Sequence, residues 1–155
     1  MNSKVRYLGI LVMLLGAVSL TMGIVFVQQG FAKQNWIQNS MKQEQITLGI
    51  ASGDVEKGEV IDTAIEAQVA GDTVREHRHG IAPTYGELLG GEKFNPANSK
   101  QLSYAQALNL ENYLYLAVAT FGLINVVLAS GAFMIVNSLA LGATGFSLYS
   151  IAKTA

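Results

Sequence analysis

Two long uncharged stretches constrain this chain more than any other feature. Tyr7 to Val27 gives 21 residues without a charged side chain, and Tyr113 to Val136 gives 24. At a helical rise of about 1.5 Å per residue, roughly 20 apolar residues cross a hydrocarbon layer about 30 Å thick. Both stretches are long enough. Burying two such helices inside a soluble domain would need a large polypeptide shell, and only about eighty residues lie between them. The expected fold is therefore mainly α and integral to a membrane, with two transmembrane helices and a small, partly helical external domain between them. The expected division is a 1–6 terminus, a first span over 7–30, a polar domain over 31–112 and a second span over 113–137. An apolar extension over 138–155 follows, expected to continue the second helix and end in a short interfacial helix, with a third span as the alternative.

Lys4 and Arg6 ahead of an apolar stretch also suit a signal peptide. The stretch exceeds the usual signal core of about 7–15 residues, and no A-x-A-like site follows it, so it reads as an anchor. Charge then sets orientation. All 11 acidic residues fall within Glu44 to Glu111, and residues 33–112 carry seven of the ten basic ones, a balance of −4. The ends carry only Lys4, Arg6 and Lys153. Basic ends favour the cytoplasm, so the expected placement is multi-pass in a cell membrane with the central domain extracytoplasmic; Lys33, which also flanks the first stretch, leaves the inverted orientation open. Cysteine is absent, so packing, the anchors or oligomerisation must hold that domain.

Within the polar region, the composition from Asn35 to Gln45 allows the first helix to continue, with Trp36 near the interface. Ile46 to Ile50 reads as extended and ends in a turn-rich stretch, Ala51 to Gly58. Ile61, Ile65 and Val69 predict a helix over 59–79 that stops at Gly80. Pro83 to Ser99, with both prolines, reads as a loop. Ser99 or Ser103 is expected to cap the final helix, with Tyr113 and Tyr115 marking the interface.

The strongest packing signal is glycine spacing. Gly9, Gly16, Gly23 and Gly30 recur every seven residues, and Ser19 widens this stripe of low bulk. In lipid, hydrophobicity gives helices little reason to associate; close backbone approach across small residues does so instead. Seven-residue spacing keeps such a stripe on a partner in a left-handed crossing. Gly122, Asn125, Ala129 and Ala132 form a second expected stripe, with Asn125 near mid-membrane, where an amide needs a partner. The stripes can meet within one chain or between chains.

The polar domain offers His77-Arg78-His79 with Asp72, Glu76 and Glu87 close in sequence. Two histidines and a carboxylate can ligate iron, but helical residues two apart point about 200° away from each other, and Arg78 opposes a cation. No metal site, catalytic residue or cofactor is expected. The −4 balance argues against nucleic acid. From Ala70 to Leu88, AGDTVREHRHGIAPTYGEL between two anchors resembles a group of uncharacterised small two-span membrane proteins, found mainly in actinobacteria and related bacteria. The matching positions are Asp72, Thr73, His77, Thr84, Tyr85, Glu87 and Leu88. Some members are called ring-opening dioxygenase subunits, and nothing in these residues supports that chemistry. The resemblance implies the two-anchor layout and no activity.

The functional expectation is a non-enzymatic, structural membrane protein in a homo-oligomer or with other membrane subunits, its partner otherwise being the lipid bilayer. The alternatives are an accessory or sensing subunit whose external domain binds a protein or small ligand, and, more remotely, a metal enzyme using His77 and His79.

Overall fold

A computed structural model describes residues 3–53 and 55–154. Met1 and Asn2 of the expected N-terminal segment, Asp54 of the turn-rich stretch and Ala155 of the expected interfacial extension lie outside the described residues. The fold is mainly helical: α1 (Ser3–Glu44), α2 (Ala64–Ile81), α3 (Tyr85–Leu89) and α4 (Ser99–Thr154). Among the described residues, extended pairing is limited to isolated antiparallel bridges, Thr47 with Val60 and Ser52 with Val55. Both α1 and α4 are long and apolar enough to cross a membrane.

The chain divides into two compact units, Met1–Gln34 with Leu123–Ala155, and Asn35–Gly122. Residues 113–122 thus pack within the second unit, whose boundary on α4 falls at Leu123. Leu114, Ala117 and Phe121 are buried there.

The first unit is an antiparallel pair of helical segments from α1 and α4. Gly9 lies against Gly145, Gly16 against Ser138, Gly23 against Gly131 and Gly30 against Leu128. Residues 138–154 do not form a separate interfacial helix: α4 continues through them and supplies the partner for the start of α1. Gly145 does not break it, since about 1 kcal/mol of lost propensity is offset where the bare backbone permits tight packing on Gly9.

In the second unit, α1 ends where Gln45 takes a left-handed φ of 49°, a stop usually assigned to glycine. The chain then runs extended: the Ile61 amide donates to the Ile46 carbonyl at 2.9 Å, and Lys42 pairs with Asp62 at 2.8 Å. The helix expected from residue 59 starts at Ala64 instead. Thr63 accepts from the Glu66 amide while the Glu66 carboxylate accepts from the Thr63 amide, a capping box that sets the start. Ile61 is consequently a buried residue of the extended segment, while Ile65 is 66% exposed. The buried side of α2 is Ala67, Ala70, Gly71, Thr73 and Arg78. Gly80 does not end α2, which reaches Ile81; Pro83 disfavours helical backbone at the residue before it, and Ala82 is extended. The expected 83–99 loop contains α3, begun by Thr84 and closed by left-handed Gly90. Asn98, rather than Ser99 or Ser103, caps α4 by accepting from the Lys100 and Gln101 amides.

Candidate functional site

The glycine seam of the first unit is set by backbone contact. A Cβ on Gly9 would fall 2.8 Å from the Gly145 carbonyl oxygen, and one on Gly145 would fall 2.7 Å from that of Gly9. Gly23 and Gly131 repeat the arrangement at 2.8 and 2.9 Å. A Cβ on Gly30 would meet the Leu128 side chain at 2.5 Å, and one on Gly16 would meet the Ser138 oxygen at 3.1 Å. The Ser19 hydroxyl donates across the pair to the Met134 carbonyl at 2.9 Å. At the far end, the Arg6 guanidinium lies 5.5 Å from the centre of the Tyr149 ring. All five expected residues of the first stripe therefore meet α4 of the same chain.

The expected second stripe has no part in this seam. A Cβ on Gly122 would meet nothing within 4 Å, and Asn125, Ala129 and Ala132 are exposed. Nor does Asn125 lie at the middle of the paired length. Gly30 packs on Leu128, so Asn125 sits near the end of α1's uncharged stretch, close to the level of Lys33. On α4, Gly131, Ser138 and Gly145 pack against the α1 glycines and lie in one buried series with Ile124 and Ala152. They recur every seven residues, as the α1 glycines do; this second register was the overlooked sequence signal.

The second unit gathers its polar groups around Arg78. This side chain is buried, donating from Nε to Glu111 at 2.6 Å and from the guanidinium to the other Glu111 oxygen at 3.2 Å. It also donates to the Tyr104 hydroxyl, and its guanidinium carbon lies 4.9 Å from the centre of that ring. The carboxylate of Glu111 holds the Arg78 guanidinium above its ordinary pKa, against the opposing effect of burial. Such a pair resists disruption because removing one partner leaves a buried charge uncompensated. His77 and His79 are both exposed, and His79 Nε2 lies 3.2 Å from the Arg78 guanidinium. Among the described residues, no group of three or more His, Cys, Asp or Glu side chains could hold a metal ion.

The residues that carried the family resemblance lie on α2, on α3 and at its cap. Asp72 accepts from the Tyr115 hydroxyl at 2.6 Å and from Gln68 at 3.0 Å, and pairs with Arg75 at 3.0 Å. The Tyr115 bond, then that of Gln68, holds the Asp72 carboxyl below its ordinary pKa. Tyr115 is thus engaged with α2, and its ring lies 3.0 Å from where a Gly71 Cβ would be. Thr73 shares a 2.9 Å hydrogen bond with Ser52. Thr84 accepts from the Glu87 amide at 3.2 Å, and the Tyr85 ring lies 6.0 Å from that of Tyr104. His77 has no part in these contacts.

A cleft of about 410 Å³ in the same unit is lined by Met41, Glu44, Ile46, Tyr113, Leu114 and Ala117, with Ser40. Its walls are mostly apolar, a composition suited to a small ligand. No protein-family model, curated protein or solved structure matches this chain.

Proposed function

We propose that this chain is a non-enzymatic integral membrane protein that serves as a structural subunit of a homo-oligomeric or multi-subunit membrane assembly. Both ends lie in the cytoplasm and the 35–122 unit lies outside. One observation carries the reading: the most apolar windows of the two long helices are only 11% and 17% buried by the protein. Leu11, Leu14, Leu139 and Phe146 are each more than half exposed. Water is a poor solvent for such a surface, and lipid or other apolar helices are good ones.

The α1 glycines are occupied by α4, so the paired helices form the subunit and association uses the outer surface. Extraction tests this reading: the chain should leave membranes only with detergent, and native mass spectrometry should find more than one polypeptide per particle. Release by salt or alkali alone would overturn the membrane placement, and a strictly single chain would overturn the assembly. Because the sequence has no cysteine, Glu92→Cys gives one labelling site; an impermeant maleimide should modify it in intact cells.

The cleft beside Glu44 favours a second reading, an accessory subunit that binds a small apolar ligand. Resonances of the Met41 and Ile46 methyl groups that remain unchanged across a panel of apolar compounds would count against it.

A further inference from the structure

The cleft at the end of α1 is apolar along its wall and rich in acceptors. Its volume of about 410 Å³ falls within the roughly 300–1,000 Å³ of small-molecule sites. Leu114 and Ala117 of α4 are buried and, with Met41 and Ile46, make the apolar wall. Glu44, Tyr113 and Ser40 supply the polar side chains. Among the described residues, the Glu44 carboxylate has neither an ion pair nor a hydrogen bond. The cation two residues before it, Lys42, is taken by Asp62 at 2.8 Å. The Ser40 hydroxyl donates its proton to the Trp36 carbonyl at 2.9 Å, which leaves its oxygen as an acceptor. Because α1 ends at Glu44, the negative end of the helix dipole adds to the carboxylate. Tyr113 brings an aromatic ring, whose face attracts cations. Among the described residues, no lysine, arginine or histidine lines the cleft. An anion would thus find one side-chain donor, the Tyr113 hydroxyl.

We infer that this cleft binds an ammonium group joined to a hydrocarbon body, with the cation at Glu44 and the hydrocarbon on Met41, Leu114 and Ala117. The inference rests on the second reading above, in which the cleft takes a small ligand, and gives that ligand its charge. A purely apolar compound would set hydrocarbon against an unpaired carboxylate, a cost that an ammonium offsets. A fatty anion would add repulsion from the same group. The ammonium belongs either to a soluble amine or to a lipid headgroup.

Methyl resonances of Met41 and Ile46, in the full chain held in an uncharged detergent, test the inference with three probes of one length: hexylammonium, hexanol and hexanoate. Hexylammonium should shift them saturably and bind about tenfold more tightly than hexanol, since an exposed ion pair and an exposed cation–π contact each contribute a few-fold. Hexanoate should bind most weakly. Glu44→Gln should lower the hexylammonium affinity about fivefold and leave that of hexanol unchanged. The parent and the variant share one kind of micelle, so partition into detergent cancels between them. Native mass spectrometry separates the two sources. An aminolipid that stays with the parent and not with Glu44→Gln places the ammonium on a headgroup; a lipid-free chain that takes up hexylammonium places it on a soluble amine. Equal affinities for hexylammonium and hexanol would overturn the cation and leave the cleft as an apolar site. A Glu44→Gln variant with the parent's hexylammonium affinity would overturn the role of the carboxylate. Resonances unmoved by all three probes would remove the ligand-binding reading beneath.

Discussion

Gly23 and Gly131 face each other so closely that a methyl group on either would lie within 3 Å of the other's carbonyl oxygen. Neither helix can retreat without opening the Gly9–Gly145 contact along the same seam. Helix propensity and helix packing therefore oppose one another at these positions.

Alanine substitution separates the two effects. Gly23→Ala should destabilise the paired helices by about 1–3 kcal/mol, the usual cost of overpacking, despite a gain of about 1 kcal/mol in propensity. Gly80→Ala should be neutral or stabilising by up to about 1 kcal/mol, since a Cβ there meets nothing within 4 Å. Thermal melts followed by circular dichroism in one detergent compare them.

Arg78 and Glu111 should behave as a unit. Glu111→Ala leaves a buried guanidinium whose remaining polar neighbours among the described residues are the Tyr104 hydroxyl and His79, and should cost about 3–5 kcal/mol in denaturant unfolding. Arg78→Lys should not restore stability, because an ammonium cannot reproduce the two-pronged contact with the carboxylate.

Acid should weaken the contact between α2 and Tyr115. The Asp72 carboxyl is held below its ordinary value in the folded state, principally by the Tyr115 hydroxyl. Its contribution is thus present above the unfolded value of about 4 and is lost as pH falls through the lower, folded one. Tyr115→Phe should move the Asp72 titration upward, as read from its carboxyl carbon resonance. An unmoved titration would show that the hydroxyl does not set it.

The start of α2 rests on the Thr63–Glu66 capping box. Thr63→Ala removes the acceptor for the Glu66 amide and should cost about 1 kcal/mol. Faster hydrogen exchange at the first-turn amides of α2 would show the loss locally; protection equal to the parent would exclude it.

Much of the architecture was legible because lipid-compatible length and helical period are local properties. The uncharged runs located two long helices, and the Gly9-to-Gly30 register identified the packed side of α1. The same reasoning ended the chain in a short separate helix, whereas α4 runs unbroken to Thr154, because the glycines after Val136 lower helix propensity only locally. Arg78 was read as a polar helix end, since nothing local reveals that Glu111, 33 residues later, and Tyr104 enclose it.

The amino-acid order by itself therefore determined which segments are helical and apolar, through propensity, period and charge. Tertiary structure decided which glycine meets which carbonyl and which arginine is buried. Those outcomes depend on how residues far apart in the chain align, and a shift of one helical turn changes every contact while leaving the composition the same.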